Sequence, residues 1–256
     1  MRIVPFLLIA VALTAASASA DGIGPAVVTD PVAQMRGSDG MFYVVTAEPG
    51  STLVEQRDLE TGHVRRVRVA GHYSLPLVVW NHPPVGLSSS GRLLVLAPTR
   101  ASVPVRTTRF VLIDTVDGAR PRAIDLPGWF DFDALAPDGR TLFVIEHPNP
   151  QNQQRYRVRA FDLASRRLLA RPLRDPRSGE SEMDGVAMDR IDAGRVIYTL
   201  YAGPSAPFVH VLDTVRRVAR CVDLPHSWSG RELRLEPSAG NRVVVVRISE
   251  ASRMRV

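Results

Sequence analysis

The sequence predicts an all-β protein that folds as a β-propeller of about four full four-stranded blades plus a partial fifth. Three observations support this prediction. A tight-turn motif ending in glycine recurs roughly every fifty residues, an aspartate follows the first four of these glycines at a similar distance, and short alternating strand patterns lie between them. Helical periodicity is nearly absent after the N-terminal segment.

The N-terminal twenty residues have the three-part composition of a secretory signal peptide. Met1-Arg2 carries positive charge, residues 3–13 are almost continuously apolar, and the small residues that follow end in Ala18-Ser19-Ala20. The apolar stretch is well short of the roughly 20 residues of a membrane-spanning helix. We therefore expect cleavage near Ala20 and a secreted or periplasmic protein without a membrane span, in which residues 21–256 form a single propeller domain.

The glycine-containing turns set the length of the repeat. Successive glycines are 51, 48, 55 and 46 residues apart, and each precedes an apolar, β-branched run. A glycine at this position supplies the positive φ that a tight hairpin turn needs. The glycines are Gly40, Gly91, Gly139, Gly194 and Gly240, and the strands predicted after them are 41–46, 92–97, 140–145, 195–200 and 241–248.

A second marker stays in phase with the first. In four units, a later strand ends in an aspartate that follows its glycine by 18, 23, 23 and 19 residues, and a fourth strand then closes the unit. We expect these aspartates to accept hydrogen bonds in turns and not to act as catalysts. They are Asp58, Asp114, Asp162 and Asp213, and the fourth strands are 64–69, 122–126, 168–173 and 218–224.

The fifth unit is incomplete in this prediction, with two strands and no third or fourth. Residues 26–29 complete the last blade, or the ring is open, or the chain is shorter than its relatives; the sequence leaves all three open. A β-sandwich or open barrel is the competing fold. It would also contain short strands and turns, but it would not show two markers that share one repeat length.

Four segments have the composition of one group of propeller repeats. They are Phe42-Tyr43-Val44-Val45-Thr46, 54–58, 135–140 and 185–188. These segments resemble the YVTN-type β-propeller repeats of bacterial exported proteins, and the resemblance covers most of residues 30–250. It implies blades and carries no catalytic residues, so it predicts a fold and not a function.

Charge and cysteine content narrow the function classes. The formal net charge is +6, but all 32 basic residues are arginine and they are scattered along the chain. Binding to phosphate backbones ordinarily uses lysine as well as arginine, so we predict no nucleic-acid partner. The single cysteine, Cys221, excludes a disulfide within the chain, and its strand context predicts a small buried side chain.

The predicted topology places a candidate site at the mouth of the central channel. In a propeller, the loops that enter the first strand of each blade and those that leave its second strand converge on one face, where binding residues are common. The entering loops supply Trp80, His82, Trp129, Asp131, Asp133, Glu182, Asp184, His226 and Trp228, and the leaving loops supply Glu146 and His147.

Two uses of this face are open. Its aromatic and acidic residues Trp80, Trp129, Glu146 and Trp228 predict a binding face. The tryptophans also precede their turn glycines by 11, 10 and 12 residues, which predicts that they pack between blades. The remaining residues are weak candidates for a divalent metal, because no ligand pair has a diagnostic spacing. These are Asp131, Asp133, Glu182, Asp184, His82, His147 and His226.

Two function hypotheses follow. The first is a non-catalytic binding or scaffold propeller that engages a protein, glycan or small ligand through the channel-mouth face. It rests on a repeat fold combined with the absence from the sequence of nucleophile, phosphate-loop or Cys-x-x-Cys motifs. The alternative is a metal-dependent hydrolase of the lactonase type, in which the carboxylates and imidazoles hold a divalent metal that activates water.

Overall fold

The computed structural model confirms an all-β fold, and the residues that it describes form five antiparallel sheets. No helix among the described residues is both long enough and apolar enough to cross a membrane. The predicted signal peptide and the segment 26–29 lie outside the described residues. The structure describes residues 32–80, 82–99, 104–117, 120–152, 155–238, 242–247 and 253–255.

The sheets follow one another along the chain, and neighbouring strands in each sheet are consecutive in sequence except for β13, which pairs with β11. The strands are β1 (Val32–Arg36), β2 (Met41–Glu48), β3 (Ser51–Asp58), β4 (Val64–Ala70), β5 (Tyr73–Ser74), β6 (Leu93–Pro98), β7 (Thr107–Asp114), β8 (Arg122–Pro127), β9 (Phe130–Leu135), β10 (Thr141–Glu146), β11 (Arg155–Asp162), β12 (Arg167–Leu168), β13 (Met183–Asp184), β14 (Val186–Ala193), β15 (Val196–Ala202), β16 (Phe208–Asp213), β17 (Val218–Asp223), β18 (Leu233–Ser238), β19 (Arg242–Arg247) and β20 (Arg253–Arg255).

Sheets 1 to 4 are each four strands wide: β1–β4, β5–β8, β9–β13 and β14–β17, with β12 and β13 both pairing with β11. Sheet 5 contains β18, β19 and β20. The prediction of two strands in the fifth unit is therefore wrong, because the short strand β20 pairs with β19. The predicted architecture of four full blades and a partial fifth is confirmed.

The marker aspartates and the first four turn glycines have the local structure that the sequence predicts, and Gly240 lies outside the described residues. Gly40, Gly91, Gly139 and Gly194 all have positive φ, between 66° and 82°. Each marker aspartate accepts hydrogen bonds from the backbone N–H groups two and three residues later; at Asp58 the distances are 2.9 and 3.1 Å. Local turn chemistry therefore sets the turns between first and second strands and between third and fourth strands.

Hydrophobic clusters join each sheet to the next one along the chain. Along β6, Leu94 and Leu96 pack against sheet 1, whereas the intervening Val95 packs against sheet 3. This alternation is the expected two-residue period of a strand buried on both faces. Similar clusters join sheet 3 to sheet 4 and sheet 4 to sheet 5. Among the described residues, no such cluster joins sheet 5 to sheet 1.

Two interruptions in the strands shape one face of the molecule. We call this the loop face; it carries the connections from second to third strands and from each sheet to the next. The first strand of sheet 2 is reduced to β5 and one bridge, between Leu87 and Leu94, and the described residues 76–80 and 82–85 loop out between them. The fourth strand of sheet 3 is split into β12 and β13 by residues 169–182.

Candidate functional site

The Trp80 loop, described over residues 76–80 and 82–85, projects from sheet 2 at the loop face. The Val85 N–H donates to the Pro76 carbonyl oxygen at 2.8 Å, which closes the base of the loop. Val78 and Val79 are buried in the cluster between sheets 2 and 3, whereas Trp80 is 64% exposed. The loop is thus anchored by its valines and presents an indole ring to solvent.

His82 connects this loop to two distant sheets. Its Nε2 lies 3.1 Å from Oδ1 of Asp189, on β14 of sheet 4. The other carboxylate oxygen of Asp189 accepts a hydrogen bond from the backbone N–H of Leu235, on β18 of sheet 5, at 2.6 Å. One carboxylate therefore ties the Trp80 loop to the first strands of sheets 4 and 5, across the centre of the molecule.

The second pair on this face is Asp131 with His147. His147 Nε2 lies 2.8 Å from Asp131 Oδ2, and the imidazole stacks on Trp129 with ring centroids 4.1 Å apart. The sequence predicts Asp131 in the loop before the first strand of sheet 3. In the structure it lies on β9, because this strand already begins at Phe130. The histidine side chain is almost completely buried, so this pair braces the end of sheet 3.

Asp133 also lies on β9, where it forms a buried ion pair between sheets 3 and 4. Arg190 Nη1 lies 3.0 Å from Asp133 Oδ1 and donates at 3.0 Å to Thr199 Oγ1, while its Nη2 donates to the Asp133 carbonyl oxygen at 2.8 Å. Asp133 Oδ2 is buried and makes no hydrogen bond with the described residues. The carboxylate predicted as a metal candidate is thus matched by a guanidinium.

Glu146, predicted on the binding face, belongs to a partly buried arginine cluster. Arg157 Nε and Arg159 Nη1 donate to its Oε2 at 2.7 and 2.6 Å. Burial acts to raise the pKa of Glu146, but these two hydrogen bonds outweigh it and lower the pKa. Glu146 therefore stays ionised and holds β10 to β11.

The three tryptophans do not share one role. Trp129 and Trp228 are buried, as predicted for residues that pack between blades, and Trp228 lies in the cluster between sheets 4 and 5. For Trp80 this packing prediction is wrong. The interruption of the first strand at residues 76–85 carries Trp80 out of the strand register, so it projects to solvent.

The remaining predicted residues line a cleft between sheets 3 and 4 on the loop face. Its volume is about 920 Å³. Arg155 Nη2 lies 3.3 Å from Glu182 Oε2, and Asp184 Oδ1 is buried without a hydrogen-bond partner among the described residues. His226 Nδ1 contacts the carbonyl oxygen of Ser205. The lining residues are Asn152, Arg155, 179–184, 203–206, Phe208, Cys221, Asp223, Leu224 and His226.

The metal candidates are distributed over this face as separate pairs. Among the described residues, no three His, Cys, Asp or Glu side chains are placed to share one metal ion. Asp131 faces His147, Asp133 faces Arg190, and Glu182 faces Arg155. The divalent-metal hypothesis stays a prediction from the sequence.

Several residues of these sites were not singled out as site residues from the sequence. Asp189 and Arg190 lie within the first strand of sheet 4, where a charged pair in an inner strand was the available signal. His210 lies on β16, is buried and makes no hydrogen bond with the described residues. Cys221 lies on β17 as predicted, but it is only half-buried and it lines the cleft.

No protein-family model matches the chain, and no characterised protein matches it by sequence. The resemblance to YVTN-type repeats therefore stays a prediction.

The structure is similar to solved β-propellers at low identity. An oligogalacturonate lyase in complex with manganese matches with a TM-score of 0.54 and 14% identity, over 87% of this chain and 63% of the lyase. The Pyrococcus horikoshii acylaminoacyl peptidase matches with a TM-score of 0.52 and 9% identity, over 84% of this chain and 35% of the peptidase.

A third match is the β-propeller domain of the Trilobed protease from Pyrococcus furiosus, described as having an open velcro topology. Its TM-score is 0.50 with 10% identity, over 88% of this chain and 70% of that chain. This chain thus spans less than two thirds of the lyase and about a third of the peptidase. At these identities the similarity establishes the fold and leaves the function to be argued from this chain's own residues.

Proposed function

We propose that this chain is an exported, non-catalytic binding propeller that engages a protein partner through the channel-mouth part of its loop face, with Trp80 as the anchor. The observation that carries the proposal is the 64% exposure of Trp80 on a loop whose two sides are fixed. Tryptophan is among the residues most enriched at the energetic centres of protein interfaces.

The Trp80 loop is held in place before any partner arrives. Val78 and Val79 are buried beneath it, and His82 holds it to Asp189 at 3.1 Å. A fixed loop loses less conformational entropy on binding than a mobile one, so more of the contact energy of the indole contributes to affinity.

The shape of this anchor favours a protein over a glycan or small ligand. Small molecules bind in concave pockets that enclose most of their surface. Trp80 instead protrudes from the tip of its loop, and it therefore requires a pocket on the partner. The exported location follows from the predicted signal peptide, and it places the partner outside the cytoplasm.

Photo-crosslinking from position 80 tests the proposal. A benzoylphenylalanine residue is placed at position 80, and at position 59 in a matched control, in the native host. Leu59 is 61% exposed on a turn at the opposite ends of the strands, so it reports non-specific contact. We expect a protein crosslinked from position 80 and not from position 59.

The affinity of that partner is then measured with purified variants of residues 21–256. We expect Trp80→Ala to raise the Kd at least about 30-fold, because truncating an interface hot spot costs about 2 kcal/mol or more. Leu59→Ala should change it less than about two-fold. Absence of a position-80-specific partner, or an unchanged Kd for Trp80→Ala, overturns the proposal.

The non-catalytic assignment has its own test, which also addresses the metal-dependent hydrolase. The thermal midpoint is measured in EDTA and then with Ca²⁺, Mg²⁺, Mn²⁺ and Zn²⁺ added singly. A reversible rise of about 5 °C or more with one metal, followed by turnover of a lactone or ester, contradicts the assignment.

A further inference from the structure

We propose that the cleft between sheets 3 and 4 is a second binding site, which takes a small organic cation carrying primary amine or guanidinium groups. This site is separate from the Trp80 loop. Its volume of about 920 Å³ is within the range of small-molecule pockets, which is roughly 300–1,000 Å³.

The charge lining the cleft is opposite to that of the protein as a whole. The chain carries a net charge of +6, yet the cleft is lined by the four carboxylates Glu180, Glu182, Asp184 and Asp223. Arg155 is the one guanidinium among the lining residues of the described chain, and it pairs with Glu182. A cation therefore enters an attractive field, and an anion is repelled.

Three of these carboxylates have no cation of their own. Glu180 and Asp223 are exposed and form no ion pair with the described residues, whereas Asp184 Oδ1 is shielded from solvent and has no hydrogen-bond partner among them. A buried acceptor without a partner is unusual in folded proteins. An ammonium or guanidinium group supplies several N–H donors to such acceptors at once.

A second unpartnered polar side chain, His210, lines a small cavity that adjoins the cleft. A small cavity of about 10 Å³ shares Glu180, Glu182 and Cys221 with the cleft and is also lined by His210. His210 is 3% exposed, and its ring nitrogens form no hydrogen bond with the described residues. Pairing of β16 with β17 places it directly opposite Cys221.

His210 is uncharged at neutral pH, which suits a cationic ligand. Burial lowers its pKa to about 4; Asp133 acts to raise it, and Arg190 acts to lower it. A neutral imidazole has one nitrogen that accepts a hydrogen bond, so it can accept an N–H from the ligand without charge repulsion. The carboxylates that line the cleft and the neutral acceptor in the adjoining cavity together favour a nitrogen cation.

Cys221 provides a native reporter of occupancy because it is the only cysteine in the chain and it lines the cleft. Burial raises the pKa of its thiol to about 12, with contributions from Glu180, Asp223 and Asp175. We therefore expect slow reaction with a maleimide. A ligand in the cleft should slow it further by covering the sulfur.

The test measures calorimetric binding of cadaverine, spermidine and L-arginine amide to residues 21–256, with glutarate as the anionic probe. We expect one or more of the cations to bind and glutarate not to bind. Saturating amounts of the bound cation should slow maleimide labelling of Cys221 at least about five-fold.

Charge-neutralising variants assign the binding to the cleft. We expect Glu180→Gln combined with Asp223→Asn to weaken cation binding at least about ten-fold. Glu60→Gln removes an exposed carboxylate from a turn at the opposite ends of the strands and should leave binding unchanged. Both substituted cleft residues are solvent-exposed, and equal thermal midpoints show that the variants remain folded.

Three outcomes overturn the proposal: no cation binds at millimolar concentration, binding is insensitive to the double variant, or labelling of Cys221 is unaffected by the bound cation. Tri-lysine serves as a further arm of the test. If tri-lysine binds more tightly than spermidine, the ligand is a lysine side chain of a polypeptide, and the proposal of a small organic cation is overturned.

Discussion

One buried ion pair joins two neighbouring sheets. Asp133 and Arg190 come from sheets 3 and 4, lie 3.0 Å apart and are both largely buried. Each ion has lost its hydration, and its partner compensates for that loss. Removing one partner of the pair should therefore destabilise the fold strongly, whereas replacing both partners by apolar residues should cost much less.

We predict that Arg190→Met lowers the free energy of unfolding by about 3–5 kcal/mol, because it leaves the Asp133 carboxylate buried without a cation. The double variant Asp133→Leu/Arg190→Met should have a higher free energy of unfolding than Arg190→Met alone. Urea unfolding of the single and double variants measures both values. Simple additivity of the two single changes would show that the charges do not interact.

The burial of His210 leads to a separate prediction about how stability depends on pH. Its pKa is about 4 in the folded chain, against an ordinary value of 6.5. The unfolded chain binds a proton on this residue between these values and the folded chain does not, so stability falls as pH drops from about 6.5 to 4.

From pH 7 to pH 5, protonation of His210 in the unfolded chain should lower the free energy of unfolding by about 2 kcal/mol. The other five histidines and the carboxylates are common to the wild type and to His210→Gln, so the difference between the two proteins isolates the His210 contribution. In His210→Gln the same pH change should lower the unfolding free energy by correspondingly less. Equal pH slopes for the two proteins, measured by urea unfolding, would contradict the assignment.

At the scale of elements, the repeated aspartates set the turns between third and fourth strands. Asp114 Oδ1 accepts hydrogen bonds at 3.0 Å from the backbone N–H groups of Val116 and Asp117. These hydrogen bonds lower the pKa of Asp114, the one from Asp117 most. The same arrangement recurs in the first four sheets, so each aspartate has a local structural role.

We predict that Asp114→Ala lowers the free energy of unfolding by about 1 kcal/mol, because two backbone donors lose their charged acceptor. Asp117→Ala is the control. Its side chain is exposed and pairs with Arg92 only at 3.4 Å, so we expect a change below about 0.5 kcal/mol. A similar decrease in the free energy of unfolding for both variants would rule out this structural role of Asp114.

The placement of the site within the repeat depends on two strand interruptions. Residues 76–85 break the first strand of sheet 2 and present Trp80, and residues 169–182 break the fourth strand of sheet 3 and border the cleft. Both occur where the chain departs from the four-strand pattern. The regular blades thus act as a scaffold on which these two segments carry the candidate binding surfaces.

At the scale of the whole molecule, contacts between consecutive sheets are apolar, whereas the contact across the centre is polar. Hydrophobic clusters join sheets 1 to 2, 2 to 3, 3 to 4 and 4 to 5. His82 and Asp189 instead connect sheet 2 to sheet 4, and Leu235 extends the connection to sheet 5. This connection fixes the Trp80 loop over the centre.

We predict that His82→Ala speeds hydrogen exchange at least about ten-fold in the loop peptide, because local opening then breaks one polar anchor fewer. Exchange within the strands of sheets 2 to 4 should be unchanged. His63→Ala, at an exposed turn on the other side, is the matched control. Loop exchange that stays at the wild-type rate would mean that Val78 and Val79 alone hold the loop.

The sequence by itself determined the blade period, the turn positions and the number of blades. Gly91 and Asp114, for example, act through φ angles and hydrogen bonds within a few residues, and such interactions are readable locally. The signal peptide and the location it implies stay predictions from the N-terminal composition.

Tertiary structure alone decided which side chains meet. Asp133 faces Arg190, 57 residues away, and His82 faces Asp189 across the centre. Neither pairing follows from spacing, because both depend on which blades approach one another and on where an interrupted strand redirects the chain. Trp80 illustrates this: it holds the same repeat position as two buried tryptophans, yet the loop that carries it places it in solvent.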